Sequence, residues 1–192
     1  MGKKENEASK NDEVCTPEDV FGPILRALGE KRFDFDPCSH PDAIIPVKQR
    51  VLLPKYEGRT LSLLGGAKKT IVSFGDGLLF DWQRKLVWLN PPYSQLRYPK
   101  KYPWLPKAAR NCRCVALLPS RTSSRWWQND VAGEAQMVVF LCGRVWHVGY
   151  EWGSPFHQVL AFYGFSSGEL DALQAEFDVN LGGKHRVWRI AR

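Results

Sequence analysis

Leu86-Val87-Trp88-Leu89-Asn90-Pro91-Pro92-Tyr93-Ser94 is the stretch on which the reading of this 192-residue chain turns. Its first four residues have the length and apolar character of a buried strand. The strand must stop at Asn90, because two successive prolines can neither continue a sheet ladder nor enter a helix interior. Pro91 restricts Asn90 and Pro92 restricts Pro91, so the bend is stiff. Asn90 and Tyr93 are thereby presented at the carboxyl end of a strand, where open α/β sheets hold their ligands. Asn and Pro are also common in plain turns, so the flanking sequence has to decide between the two readings.

The residue types suit a planar amine. An exocyclic amino nitrogen on a purine is a poor nucleophile, because its lone pair is delocalised into the ring. Two acceptors aimed at its hydrogens, the Asn90 side-chain oxygen and the Pro91 carbonyl, favour a tetrahedral nitrogen with an outward lone pair. Fixed dipoles of this kind stabilise a transition state without reorganisation. Tyr93 offers a face for an extruded base, worth about 1–3 kcal/mol per stacked base. Asn-Pro-Pro-Tyr resembles the catalytic signature of amino-group methyltransferases that use S-adenosyl-L-methionine, in the form carried by N6-adenine enzymes.

Upstream, Thr70-Ile71-Val72-Ser73-Phe74 reads as a strand, followed by Gly75-Asp76-Gly77-Leu78. The family has Asp-Gly-Leu just before its catalytic strand, with a Trp after it, matched here by Trp82. The resemblance implies that Asp76 accepts from the cofactor adenine; a turn residue between glycines is the other reading, and Asp81 the less favoured acid. Phe33 and Phe35 alternate with Asp34 as in a strand, and Asp36-Pro37 marks its end. The phage-type adenine enzymes carry Asp-Pro-Cys here in place of a glycine-rich loop, which implies Asp36 and Pro37 at the methionine end of the cofactor. Earlier still, Thr16 suits an N-cap and Pro17 the first helical position. Helical periodicity then runs to Leu28, Gly29 ends it, and Pro23 marks a kink or second start. In the family, Thr-Pro at this place lies beside the cofactor carboxylate, which free helix N–H groups also suit. Thr16 and Pro17 are thus implied cofactor residues, together with Asn90. His40 to Lys69 should hold the second strand, at Arg50–Leu53 or Thr60–Leu64. The acid that holds the cofactor ribose has no clear place there, with Glu57 the nearest candidate.

Downstream, Pro103–Asn111 reads as a helix and Val115–Ser120 as a buried strand. Arg121–Trp127 opens a helix with a Ser or Thr cap. Met137–Cys142, Gln158–Phe165 and Arg186–Ile190 read as strands, with a helix over Gly168–Phe177. Gly143-Arg144 resembles a family Gly-Arg, and Arg144 is a phosphate contact or a structural ion pair. His147 and His157 are read as structural.

The net charge is +7, and its distribution says more than its size. From Trp82 to Asn129 there is no Asp or Glu, while Arg84, Lys85, Arg97, Lys100, Lys101, Lys107, Arg110, Arg113, Arg121 and Arg125 fall within that window. Such a window around the Asn-Pro-Pro-Tyr bend is the footprint of a polyanion partner. Tyr98, Tyr102, Trp104, Trp126 and Trp127 add stacking surfaces or core. Five cysteines without framework spacing suit a reducing compartment, and no zinc-ligand spacing occurs, so no metal is expected. No apolar run reaches membrane-spanning length, and Met1-Gly2-Lys3-Lys4 lacks a signal-peptide centre. Residues 1–14 read as a disordered leader, and 15–192 as one domain.

Together these features are similar to phage and prophage DNA N6-adenine methyltransferases, the Dam-like phage family, over roughly Thr16 to Phe165. The resemblance implies an α/β three-layer sandwich with a Rossmann-like class I methyltransferase sheet. It also implies methyl transfer to adenine N6 in double-stranded DNA. The site residues are then Asn90, Pro91, Pro92 and Tyr93 for catalysis. Tyr93, Arg97, Lys100, Lys101, Arg121, Arg125 and Arg144 would meet DNA. A cytoplasmic, phage- or prophage-encoded monomer is the expectation. An RNA adenine or protein glutamine methyltransferase, or an inactive DNA-binding relative, are the rivals.

Overall fold

The computed structural model describes residues 15–58, 70–96, 103–111, 113–148, 153–180 and 185–190. Eight strands form one sheet: β1 Phe33–Ser39, β2 Val47–Leu52, β3 Ile71–Phe74, β4 Leu86–Leu89, β5 Arg113–Pro119, β6 Met137–Phe140, β7 Gln158–Tyr163 and β8 Arg186–Arg189. Their order across the sheet is β3-β2-β1-β4-β5-β7-β6-β8. The first five pair in parallel. β7 runs antiparallel to β5 and to β6, and β8 antiparallel to β6. The order reverses between β1 and β4, so a crevice opens beyond their carboxyl ends, where doubly wound sheets bind ligands.

Both faces of the sheet are covered. Leu86 and Trp88 of β4, Val115 and Leu117 of β5, and Leu160 and Phe162 of β7 pack under helices α1 (Glu18–Ala27) and α3 (Ser167–Ala175). The alternate residues Val87, Leu89, Cys114, Ala116, Leu118, Val159 and Ala161 pack against α2 (Trp104–Asn111) and the helical turn around Trp126 and Trp127. Central strands buried on both sides read as continuous apolar runs, which is why β4, β5 and β7 were legible. The molecule is therefore the expected α/β three-layer sandwich.

The observed elements refine several expectations. Pro17, not Thr16, holds the N-cap position of α1, and no side chain caps that end. Pro23 lies inside α1 without dividing it. Gly29 closes the helix in the left-handed region at φ 65°, donating to the Arg26 carbonyl while Glu30 donates to that of Leu25. β1 does not stop at Asp36-Pro37 but runs on to Ser39, with the pairing irregular between Asp36 and Ser39. The second strand begins at Val47, close to the first of the two places expected for it. Thr60–Leu64 falls outside the described residues. Ser124 does not cap the helix that follows: its hydroxyl donates to the Arg121 carbonyl, and the helix widens into a π turn over Trp127–Ala132.

The link from β1 to β2 contains no helix, although parallel neighbours usually need a dozen or more residues between them. Residues 40–46 include a turn in which Ala43 N–H donates to the His40 carbonyl. With that turn the link can reach about 24 Å, against about 20 Å back along β1, so it is nearly taut. Its carbonyls are satisfied by Arg50, which is 6% exposed. Arg50 Nη1 donates to Ala43 O (3.1 Å) and Nη2 to Ile45 O (3.2 Å). A buried guanidinium thus does the hydrogen bonding that a crossover helix would do internally.

Candidate active site

A cavity of about 290 Å³ opens at the sheet's reversal point. Its wall includes Thr16 from the segment before α1, Asp36 to His40 from the end of β1, Leu53 and Tyr56 after β2, Asp76 and Gly77 after β3, and Trp88, Asn90, Pro92 and Gln95 from β4 and its turn. Thr16, Asp36, Pro37, Asp76 and Asn90 are thereby brought together from four separate stretches of sequence. Pro17 does not line the cavity, because it is spent on the cap position of α1. Glu57 is exposed and away from the wall; Leu53 and Tyr56 stand at the end of β2 where a ribose-holding acid was sought. Asp81 also lies off the wall, its carboxylate accepting from Gln83 N–H.

Each polar group in the wall has a distinct setting. The Thr16 hydroxyl is buried and has no hydrogen-bond partner among the described residues, which costs free energy unless a ligand supplies one. Asp36 is 3% exposed. Burial pushes its carboxyl up to about 6, against the pull of Ser39, the Arg50 charge and the Cys38 N–H. It accepts from that N–H at 3.2 Å. Asp76 precedes a short 3₁₀ turn, Gly77–Leu79, and accepts from Leu78 N–H at 2.9 Å, so it is a turn residue and a cavity residue at once. Gly75 takes φ 141°. A Cβ on Gly77 would stand 1.7 Å from the Pro37 carbonyl oxygen, so only glycine lets this turn meet the end of β1. Lys107 of α2 ties the turn down from outside, donating to Leu78 O and Phe80 O at 2.6 Å each.

The bend after β4 is braced on two sides. Cys38 Sγ donates to the Asn90 carbonyl at 3.1 Å, and burial raises that thiol well above the ordinary range, so it stays a protonated donor. Pro91 is buried. Gln95 N–H donates to the Pro92 carbonyl (2.9 Å), and Gln95 Oε1 accepts from Trp104 Nε1 (2.8 Å). Tyr93 is half-buried and lies beyond the cavity wall. Its hydroxyl accepts from Gln158 Nε2 at 2.7 Å, and its ring meets Phe156 edge-on with centroids 5.5 Å apart. The bend therefore separates a cavity holding Asn90 from an aromatic corner holding Tyr93.

The basic residues divide. Arg121, Arg125 and Arg144 are exposed, and they follow β5 and β6 on the edge where Asn90 emerges. Arg144 has no ion pair among the described residues. Arg97, Lys100 and Lys101 lie outside the described residues, as do Tyr98 and Tyr102. Lys85 donates to Asp81 O, and Arg113 pairs with Glu169 at 2.5 Å, so part of the acid-free window serves the fold. Trp104, Trp126 and Trp127 are 5%, 6% and 2% exposed. All three pack in the core against the apolar face of the sheet, and Trp104 also lines the cavity. His147 is buried with Nδ1 3.4 Å from Cys15 O; burial lowers its pKa. The sequence reading missed Gln158, Phe156 and Arg50, whose partners lie 65, 63 and 7 or fewer residues away, with no local motif to mark them. Among the described residues no helix is long and apolar enough to cross a membrane, and no His, Cys, Asp and Glu group could hold a metal.

No curated protein matches the chain. A solved structure from Pyrococcus horikoshii, described as a candidate RNA methyltransferase, superposes with a TM-score of 0.50 at 16% identity. The match covers 84% of this chain and 89% of that one, and it bears on the fold. Residues 67–159, which carry Asp76, the Asn90 bend and Arg144, match the family described as DNA N-6-adenine-methyltransferase (Dam). That match spans just under half of the chain, so over residues 67–159 the protein is similar to the DNA N6-adenine methyltransferase family, on a sheet similar to that of a methyltransferase fold.

Proposed function

We propose that the chain transfers a methyl group from S-adenosylmethionine to adenine N6 in double-stranded DNA, using the cavity for the cofactor and the aromatic corner for the base. The observation that carries this is the shared wall: Asn90, on the proline-braced bend, lines the same cavity as Thr16, Asp36 and Asp76. The residues fit the cofactor chemically. The Thr16 hydroxyl, which has no hydrogen bond among the described residues, and the start of α1 suit its carboxylate, Asp36 its ammonium, and Asp76 the amino group of its adenine. When bound, S-adenosylmethionine supplies an electrophilic methyl on a sulfonium.

Asn90 Oδ1 and the Pro91 carbonyl accept the two hydrogens of the target amine, which turns its lone pair outward. Cys38 holds the Asn90 main chain while this happens. A base inside a duplex cannot reach this bend, so it is extruded and stacks on Tyr93. Alignment in a closed site supplies much of the rate. No strong base is required beforehand, since the nitrogen becomes acidic once methylated and loses its proton to water. Arg121, Arg125 and Arg144, with Arg97, Lys100 and Lys101 from the sequence, meet phosphates. The chemistry suits a cytoplasmic enzyme, and a phage or prophage origin fits the Asp-Pro-Cys form of the β1 end.

Calorimetry with S-adenosylmethionine and a tritium-transfer assay on unmethylated plasmid DNA and on unstructured RNA test the proposal. Asn90→Ala should keep cofactor affinity and lose transfer to DNA. Absence of cofactor binding, or full activity of Asn90→Ala, refutes it; transfer to RNA alone moves the substrate to the rival class.

A further inference from the structure

Gln158 opens β7, a strand whose other five residues are Val159, Leu160, Ala161, Phe162 and Tyr163. It is 1% exposed. A buried amide in an apolar run is costly unless it is hydrogen-bonded. The main chain of Gln158 is fixed by the sheet, paired with Pro119 of β5 and accepting from Leu141 N–H at 3.2 Å. Its side-chain Nε2 is spent on Tyr93 Oη, 65 residues away, at 2.7 Å. Gln158 Oε1 has no hydrogen bond among the described residues. Burial lowers the pKa of His147, against smaller opposing pulls from Cys15 and Gln158.

Tyr93 itself stands on a 3₁₀ turn, Tyr93–Leu96, outside the sheet. A ring on such a turn can swing unless its far end is held. Gln158 holds the hydroxyl, and Phe156, two residues earlier on the same segment, meets the ring at an interplanar angle of 62°. The tip and one side of the Tyr93 ring are therefore referenced to the rigid start of β7.

We infer that Gln158 is a positioning residue for the target base: its amide fixes the Tyr93 ring in the plane on which the extruded adenine stacks. The inference rests on the assignment of Tyr93 as the stacking surface. Gln158 touches neither cofactor nor base. Its effect belongs in kcat, through the alignment of the amine, and not in cofactor affinity.

The test is a double-mutant cycle on the full chain with Tyr93→Phe and Gln158→Leu, using tritiated S-adenosylmethionine and unmethylated plasmid DNA, with cofactor affinity by calorimetry. Each single variant should lower kcat about three- to tenfold, the worth of one neutral hydrogen bond, with cofactor affinity unchanged. The double variant should be no slower than the slower single one. Gln158→Glu, which can accept from the Tyr93 hydroxyl, should recover part of the loss. Losses that multiply in the double variant, or wild-type kcat in Tyr93→Phe, overturn the inference. Tyr93→Phe keeps the apolar ring and so reads the bond even if Gln158→Leu fails to fold. Wild-type kcat in Tyr93→Ala would instead remove the stacking role of Tyr93 itself.

Discussion

Replacing Asp36 by Asn should make the protein more stable and a poorer binder of its cofactor. Burial moves this carboxyl from 3.8 to about 6, and it is nearly inaccessible to water. At about 1.4 kcal/mol per pH unit, keeping it ionised at neutral pH costs the native state about 3 kcal/mol. The attraction of Arg50 is already contained in that figure, since it helps set where the carboxyl titrates. Between pH 3.8 and 6 the native chain binds the proton that the unfolded chain has lost. Wild-type stability from this group therefore falls as pH rises through that window and levels off above it. Asp36→Asn removes the dependence and should raise the melting temperature at pH 7.5 by roughly 6–12 °C. The gain should shrink to nothing near pH 4. An amide cannot neutralise an ammonium, so cofactor affinity should drop about ten- to a hundredfold, the worth of a charged hydrogen bond. Thermal unfolding without cofactor across pH 4–8, with calorimetry at pH 7.5, measures both. A variant no more stable at pH 7.5, or one whose advantage is the same at pH 4, refutes the burial argument. Undiminished cofactor affinity refutes the role of the carboxylate.

Gly77→Ala forces a Cβ into the Pro37 carbonyl and should cost at least about 2 kcal/mol of stability together with cofactor binding; a variant that melts and binds like wild type would show that the two loops separate freely. Cys38→Ala withdraws the donor from the Asn90 carbonyl and should slow transfer about three- to tenfold, whereas Cys38→Ser, which keeps a donor, should stay nearer wild type. Equal rates for the two would mean the thiol only fills space. Arg121→Gln with Arg125→Gln should weaken DNA binding and lower its log–log salt slope by about one for each phosphate contact removed. An unchanged slope in titrations at several salt concentrations would turn these arginines away from DNA.

What could be read beforehand was what local chemistry controls. The prolines at 91 and 92 mark the end of β4 without any tertiary information, and apolar runs mark β4, β5 and β7 because those strands are covered on both faces. Asp76 was legible as a turn acid after a strand, and Asp36 as an acid near the end of β1. The reach of β1 past Pro37 was not, since a proline looks like a terminator unless its neighbour's pairing is known. Thr16 looked like a cap by type, yet Pro17 took that position and left the buried Thr16 hydroxyl without a hydrogen bond among the described residues. The tryptophans illustrate the same limit: Trp104, Trp126 and Trp127 sit among basic residues in sequence, but their burial is decided by a sheet face assembled from β4, β5 and β7. Gln158 was invisible because an isolated amide at the start of a strand carries no pattern, and its partner comes from the other half of the chain.

The short connection between β1 and β2 has an asymmetric tolerance to change. Adding residues there loosens a strap, and the entropy of a longer loop grows only slowly, by about 0.6 kcal/mol per doubling. Removing even two would leave it too short to return along β1 and would drag Ala43 and Ile45 off the guanidinium that serves them. Variation in length at residues 40–46 should therefore run one way, toward insertion, and a deletion scan through the chain should find its sharpest intolerance outside any helix or strand at this point.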